Sequence, residues 1–468
     1  MSDTTGIAVR LDYEPNPSRA SHAVKVLVQI AATGSPEDAA GGRTGIAEAI
    51  VLDRSGSMAH PLTKLVAAQN AACAAIDTLP DGALFAVLEG TIDARMVYPR
   101  ERILAPLSAQ IREEAKQAVR AIRPSSEGTS IGSWLDRARE LLAPHDLIRH
   151  ATLLTDGRNQ HQARVDLDRA VAACREVLSC DARGIGDDWD PDELLHIVEA
   201  LHGSAPALST IGDLTSDFVE VMRRLGGRTV PRMALRVRCG PGVRLTDAQQ
   251  SHPMLMDMDQ HAARKENRID YALGPWGGET REFVLAFEAD PSAAPAADDH
   301  AIAAVELLAG PSGEPVAGTR DRVSVRWVDV APRLTVWEEQ HELQRKLTRL
   351  IKDGGRSWLH GDRPAALAAW KNALDLARRL NDAEAVGRLG HVLEGDRLRD
   401  GLSEGDVKQV MLGATTTSTT GRPDEGVVGS TTFKRCPECG RKADPDAVFC
   451  ESETCDHKFA DGAPGTTG

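Results

Sequence analysis

Oxygen-bearing side chains follow an apolar run near residue 50. Asp53, Ser55 and Ser57 alternate along the chain directly after Ile50-Val51-Leu52. In an extended segment alternating side chains point to one side, and Gly56 lets the backbone turn closely past them. One carboxylate and two hydroxyls then face a common point. These hard oxygen ligands suit Mg²⁺, whereas a zinc site would favour His or Cys.

Two further oxygen-bearing residues follow at the ends of later predicted elements. Thr129 lies in Glu127-Gly-Thr-Ser, and Asp156 lies in Leu154-Thr-Asp-Gly. Taken singly, an Asp-x-Ser-x-Ser pattern after a strand is also typical of caps and turns. With Thr129 and Asp156 added in this order, residues 44 to 227 resemble a von Willebrand factor A domain with a complete metal-ion-dependent adhesion site.

The resemblance implies a ligand set and a type of partner. Ser55, Ser57 and Thr129 would be direct hydroxyl ligands of Mg²⁺ or another hard divalent cation, while Asp53 and Asp156 would bind directly or through water. One coordination position stays open, and in this family it typically accepts a carboxylate. We therefore expect a partner protein that offers an Asp or Glu side chain.

The surrounding sequence predicts a doubly wound α/β domain that positions these residues. Short apolar runs at 46–52, 84–88, 151–155 and 178–185 alternate with helical stretches between residues 44 and 229. This rhythm is typical of a mainly parallel, Rossmann-like sheet with crossover helices. Leu62, Leu65, Val66, Cys73 and Ile76 have helical spacing, which places Cys73 in the core.

Alternating patterns on both sides of this domain predict a β-sandwich. Residues 1–43 and 230–334 contain period-two apolar runs, including Val24 to Ile30 and Val323 to Trp327. Because an isolated hairpin is marginally stable, we expect the first strands to pair with the later ones. The predicted fold is thus multidomain, α/β plus β, with the α/β domain inserted in the sandwich.

Three segments complete the predicted organisation. Residues 335–400 are predicted to be helical, as a single tetratricopeptide-like hairpin or an ordinary helical extension packed on the sandwich. Residues 401–432 are rich in Thr and Gly and predict a flexible linker. Residues 433–460 hold a cysteine cluster.

The cysteine cluster has the spacing of a zinc ribbon. Cys436-Pro-Glu-Cys439 is followed after ten residues by Cys450 and after four more by Cys455. Four thiolates suit tetrahedral Zn²⁺, with His457 as an alternative to Cys455. A segment this short needs the metal to fold. Lys434 to Lys458 contains five basic and six acidic residues, which favours a structural or protein-binding role.

Composition excludes several classes of function. The net charge of -14 disfavours binding to nucleic acid or to anionic membranes. No apolar run is long enough to span a bilayer, and the polar first residues do not resemble a secretory signal, so we expect a cytoplasmic protein. The family resemblance implies that it is of bacterial type. A phosphate-loop pattern is missing from the sequence, and we expect no enzymatic activity.

Three functional hypotheses follow. The first is a non-catalytic scaffold that captures an acidic partner through Mg²⁺. The second adds signalling, with Thr415 to Thr420 as the substrate of a Ser/Thr kinase and the docking site of a phosphothreonine reader. The third is an accessory subunit of an ATP-driven chelatase or remodelling complex, as the family resemblance suggests.

Overall fold

The structure is a computed structural model that describes residues 6–33, 45–208, 211–293, 299–393 and 402–417, with two short strands at 434–435 and 442–443. The chain divides into two compact units, residues 1–421 and 422–468. In the second unit, Lys434–Arg435 pairs antiparallel with Lys442–Ala443. Across the described ranges, no helix is long and apolar enough to cross a bilayer.

An α/β unit follows two N-terminal strands, β1 (Gly6–Tyr13) and β2 (Ala23–Thr33). Its own strands are β3 (Ile46–Asp53), β4 (Leu84–Gly90), β5 (Ala94–Tyr98), β6 (Ala105–Pro106), β7 (Ile148–Thr155) and β8 (Ser179–Gly184). The sheet order is β5-β4-β3-β7-β8, with β6 paired to β4. The four strands β4, β3, β7 and β8 are parallel, and β5 and β6 are antiparallel to β4.

Helices cover both faces of this sheet. They are α1 (Thr63–Thr78), α2 (Ala109–Arg120), α3 (Ile131–Leu142), α4 (Arg164–Cys174), α5 (Pro191–Ala200) and α6 (Leu214–Gly226). One core contains Ile50 and residues of α1, α2 and α6, and the other contains Val51 and residues of α3, α4 and α5. Every residue of β3 is buried, as expected for a central parallel strand. Cys73 lies in the core, as predicted.

A buried ionic cluster joins three strands of the sheet. His150 Nδ1 donates to Glu48 Oε2 at 2.7 Å, and His150 Nε2 donates to Asp181 Oδ2 at 3.0 Å. Burial alone would lower the pKa of His150, but its interactions with the two carboxylates outweigh burial and raise that pKa to about 9. The imidazolium therefore links β3, β7 and β8 through charge-assisted hydrogen bonds.

Two further sheets pack around one core. Their later strands are β9 (Arg228–Cys239), β10 (Val243–His252), β11 (Met256–Asp257), β12 (Ala262–Lys265), β13 (Arg268–Gly277), β14 (Thr280–Ala289), β15 (His300–Ala309), β16 (Glu314–Pro315) and β17 (Asp321–Val325). One sheet has the order β1-β2-β14-β10-β11, and the other has β12-β13-β9-β15-β16, with β17 on β15. Val28 pairs with Phe283, and both share a core with Leu235 and Leu307. The α/β unit therefore interrupts the sandwich along the chain.

A helical region follows. Helix α7 (Val336–Leu359) begins with a capping box, in which Thr335 Oγ1 accepts from Glu338 N and Glu338 Oε2 accepts from Thr335 N at 2.6 Å. Helices α8 (Arg363–Arg379) and α9 (Ala383–Leu393) pack with it around Trp370 and Leu389. The region described between 336 and 393 thus contains three helices.

The prediction of a flexible linker over 401–432 is wrong for its described part, residues 402–417. Helix α10 (Glu404–Gly413) packs into the helical core through Val407 and Met411. Thr415 and Thr417 are only 2% and 6% exposed, and Thr417 N donates to Pro253 O at 3.0 Å. The Thr-rich composition concealed a capping serine and an apolar face at helical spacing.

Candidate metal centre

The ends of two neighbouring parallel strands bring two carboxylates to one edge of the α/β sheet. Strand β3 ends at Asp53, and β7 ends one residue before Asp156. The two strands pair in register, with Leu52 opposite Leu154. Because the carboxyl ends of parallel strands collect ligands in open α/β sheets, this edge is the expected place for a site.

Backbone contacts hold two loops together above this edge. Ser55 N donates to Asp53 Oδ1 at 2.7 Å, which turns the chain into a short 3-10 helix at Gly56–Ala59. Gly56 N then donates to Glu127 O at 3.2 Å. This contact brings the loop that carries Thr129 against the loop that follows β3.

The five predicted ligands lie together, and we call them the metal centre: Asp53, Ser55, Ser57, Thr129 and Asp156. Ser55 Oγ is 3.1 Å from Ser57 Oγ, and Ser57 Oγ donates to Asp156 Oδ1 at 2.7 Å. A methyl group on the adjacent Gly157 would lie 3.0 Å from Thr129 Oγ1, 3.5 Å from Ser57 Oγ and 3.8 Å from Asp53 Oδ2. Three loops thus converge, and the absence of a side chain at position 157 keeps their oxygens close.

Burial sets the electrostatics of the metal centre. Both carboxylates are fully buried, while Ser57 is half-buried. Burial raises the pKa of Asp53 to about 6, although Ser55 and Thr155 donate hydrogen bonds to it. Thr155 Oγ1 donates to Asp53 Oδ2 at 2.6 Å and fixes the carboxylate from the strand side. A desolvated carboxylate of this kind gains strongly from a nearby cation.

Lys64 is a residue of the site that sequence reasoning missed. Its Nζ donates to Asp156 Oδ2 at 2.9 Å and lies 3.8 Å from Asp188 Oδ2, and its side chain is 7% exposed. In the sequence, Lys64 is recognisable only as a basic residue in the first turn of α1, the helix that follows the Asp-x-Ser-x-Ser loop. Such a lysine usually indicates a solvated helix face.

The donor set fits a hard divalent cation. Two carboxylates and three hydroxyls offer only oxygen atoms, which is the chemistry that Mg²⁺ prefers. No group of three or more His, Cys, Asp or Glu residues capable of holding a metal occurs in the part of the chain that the structure describes. A centre with three hydroxyl donors does not require one. The predicted zinc ligands Cys436, Cys439, Cys450 and Cys455 lie outside the described residues.

Helix α10 contacts the loop beside the metal centre. Gly405 N donates to Asp187 Oδ1 at 2.6 Å, and Lys408 Nζ donates to the Asp187 carbonyl. The neighbouring Gly186 is close to Lys64, since a methyl group on this glycine would lie 2.6 Å from Lys64 Cε. Asp187 and Gly186 therefore connect helix α10 to Lys64, which pairs with Asp156.

Comparison with known proteins agrees with this architecture. A family model of the von Willebrand factor type A domain matches residues 48–206. Residues 48–206 thus form a von Willebrand factor type A (VWA) domain. No curated protein sequence matches the chain significantly.

Two solved structures resemble the VWA domain together with its surroundings. The first is a von Willebrand factor type A protein from Catenulispora acidiphila, with a TM-score of 0.81 and 29% identity over 90% of this chain and 99% of that chain. The second is the ArnB paralog VWA2 from Sulfolobus acidocaldarius, with a TM-score of 0.50 and 12% identity over 87% and 98% of the two chains. The second likeness concerns the fold alone.

Proposed function

We propose that this chain is a non-catalytic protein-binding scaffold whose metal centre binds Mg²⁺ and, through it, an acidic side chain of a partner. The observation that carries the proposal is the convergence of five oxygen-bearing side chains from three loops of a VWA domain. Asp53 and Asp156 would provide the negative charge for the cation. Ser55, Ser57 and Thr129 would provide neutral oxygen donors.

The charges of the metal centre favour an anionic partner. Asp53 and Asp156 contribute two negative charges, Lys64 contributes one positive charge, and Mg²⁺ brings two. The loaded centre then carries a net charge of about +1, before any partner binds. Because only two of its oxygen donors are charged, the cation gains from a third carboxylate.

The surface beside the metal centre suits a protein partner. Leu62, at the start of α1, is 54% exposed, and Ile92, between β4 and β5, is 48% exposed. Ile92 follows Thr91, whose carbonyl accepts from Ser130 N at 3.0 Å, next to Thr129. Isolated exposed apolar residues are common, but beside an anion-accepting cation they add contact area for a protein.

The hydroxyl groups of Ser55 and Ser57 lie among other predicted ligands, as ligation requires. A nucleophilic serine needs a base within hydrogen-bond reach. Within the described ranges, Ser55 and Ser57 hydrogen-bond each other and Asp156, and neither donates to a histidine. The carboxylate that accepts from Ser57 also pairs with Lys64, and the proposal assigns it to the cation, so these hydroxyls are assigned to ligation.

Capture of a matched pair of peptides tests the proposed function. Beads carry either a Glu-containing peptide or the same peptide with Gln in its place, and the full chain is applied with Mg²⁺ or with EDTA. We expect retention only on the Glu peptide with Mg²⁺, and loss of retention for Asp156→Ala. Asp375→Ala, an exposed aspartate on α8, is the matched control. Equal retention with EDTA, or by the Asp156 variant, would contradict the proposal.

Further proposals concern the location of the protein, its C-terminal cysteine cluster and its role in signalling. We propose a cytoplasmic protein that binds neither nucleic acid nor membrane, with Zn²⁺ in the C-terminal ribbon. Thr415 and Thr417 are buried, so their phosphorylation requires that they first leave these positions. Signalling through the Thr415 to Thr420 run is proposed only with this requirement. The chelatase or remodelling alternative stays a prediction, tested by ATP-sensitive co-purification with a ring ATPase.

A further inference from the structure

A cavity of about 340 Å³ lies between the VWA domain and the β-sandwich. Leu147, Arg149 and Ser179 line it at the amino-terminal ends of β7 and β8, and residues of β9, β13 and β15 line its other side. The metal centre lies at the carboxyl end of β7, so the cavity is at the opposite edge of the same sheet. Its volume falls in the range of small-molecule sites, which occur preferentially at domain interfaces.

Three arginines that line this cavity have no carboxylate partner in the part of the chain that the structure describes. Among the described residues, no carboxylate lies within ion-pair distance of Arg149, Arg175 or Arg232, whereas a fourth lining arginine, Arg236, pairs with Asp270 at 2.7 Å. The two other acidic lining residues are at exposed positions, namely Asp146 and Glu176. Three such arginines stand out in a chain with a net charge of -14.

Arg149 and Arg232 belong to different parts of the fold and repel each other. Arg149 is on β7 of the VWA domain and Arg232 is on β9 of the sandwich. Burial, and secondly the charge of Arg232, lower the pKa of Arg149, with a smaller opposing effect of Asp146. The Arg149 guanidinium donates only weakly, to the carbonyls of Ala143 at 3.5 Å and Glu176 at 3.3 Å. An anion between the two arginines would remove this repulsion.

The cavity also has an apolar wall. Leu178, Met233 and Leu308 are buried side chains that line it from both domains. A fully hydrated inorganic ion would leave this surface without a partner. A ligand with an apolar body would cover it and gain from removal of that surface from water.

We propose that this cavity binds a small organic anion, with a phosphate or carboxylate group toward Arg149 and Arg232 and an apolar body against Leu178, Met233 and Leu308. Guanidinium groups bind both kinds of oxyanion through paired hydrogen bonds. The ligand contacts both domains, so its binding stabilises their present arrangement. This site shares no residue with the metal centre.

Thermal unfolding and titration calorimetry of the full chain test the proposal with four probes: phenyl phosphate, inorganic phosphate, benzoate and acetate, each against sodium chloride of equal ionic strength. We expect a phenyl-bearing probe to raise the melting temperature and to bind more tightly than its counterpart without the ring. The stronger of phenyl phosphate and benzoate identifies the oxyanion. Asp156→Ala leaves this binding unchanged, which separates it from the metal centre.

Arginine variants locate the binding. Arg149→Gln and Arg232→Gln are each expected to weaken binding of the phenyl-bearing probe by about tenfold or more, since each removes a charge-assisted contact. Arg379→Gln, at an exposed position on α8, is the matched control and is expected to have no effect. Arg232 is exposed, so its variant keeps the packing intact and reports on binding independently of the folding of the Arg149 variant. Absence of any shift beyond sodium chloride, phenyl probes no better than their counterparts, or binding retained in both variants would overturn the proposal.

Discussion

Removing the charge of Lys64 separates metal binding from folding. In Lys64→Met the side chain keeps its length, but the fully buried Asp156 loses the cation that lies 2.9 Å from its Oδ2. Removing one partner of a buried ion pair costs about 3 kcal/mol or more, because a charge is left without compensation. We therefore expect Lys64→Met to lower the free energy of unfolding by roughly this amount in EDTA.

Mg²⁺ is expected to reverse much of this loss. A cation bound next to Asp156 would lie about 5 Å from Lys64 Nζ, where charges of +2 and +1 repel by about 2 kcal/mol in a water-like dielectric. Without Lys64 this repulsion disappears, so the variant is expected to bind Mg²⁺ about 30-fold more tightly than the wild-type chain. The same variant is expected to bind the Glu peptide more weakly, because the loaded centre has lost its net positive charge.

Calorimetric titration with Mg²⁺ and unfolding by urea with and without Mg²⁺ measure both effects. Lys116→Met is the matched control. Lys116, on helix α2, is also largely buried, and its Nζ pairs with Asp77 Oδ1 at 2.8 Å. It is expected to destabilise the chain equally in Mg²⁺ and EDTA. If a folded Lys64→Met protein binds Mg²⁺ no more tightly than the wild type, the electrostatic account of the centre is refuted.

Four further predictions concern other parts of the chain. The pKa of His150 in the folded chain, about 9, is above its ordinary value of 6.5. Its contribution of up to ~3 kcal/mol to the free energy of unfolding is therefore present below pH 6.5 and lost as pH rises through 9. We expect the melting temperature to fall over this pH range in the wild type but not in His150→Gln. Gly405→Ala places a methyl group 2.4 Å from Asp187 Oδ1 and is expected to destabilise the chain. Gly390→Ala has open space and is expected to stabilise the chain by up to about 1 kcal/mol. Urea unfolding measures both changes. A Ser/Thr kinase acting on the folded chain is expected to leave Thr417 unmodified, and phosphate on this residue by mass spectrometry without unfolding would contradict its burial. Cys439→Ser is expected to lower the zinc content, and an unchanged content would exclude it as a ligand.

Strand ends were sufficient to predict that Asp53 and Asp156 lie together at one edge of the sheet. Asp53 and Asp156 each follow a run of apolar residues, and parallel strands bring such positions to one edge. The position of Thr129 could not be predicted in this way. It depends on the backbone contact between Gly56 and Glu127, which no local sequence pattern indicates. The family resemblance supplied it.

Lys64 and helix α10 show what the sequence could not provide. A lysine near the start of a helix indicates an exposed face unless its partner is known, and Asp156 is far away along the chain. Helix α10 was obscured by the Thr and Gly composition of the segment around it. Lys64 depends on a long-range contact with the loop after β7, and helix α10 depends on contacts with the loop after β8, which local periodicity does not encode.

The most direct test of the central claim is crystallography of the full chain with Mn²⁺, a hard divalent cation with an anomalous signal. We predict an anomalous peak about 2 to 2.5 Å from Ser55 Oγ, Ser57 Oγ and Thr129 Oγ1, and no such peak in Asp156→Ala. A crystal in which these hydroxyls contact no cation, while Mn²⁺ is bound elsewhere in the VWA domain, would contradict the account.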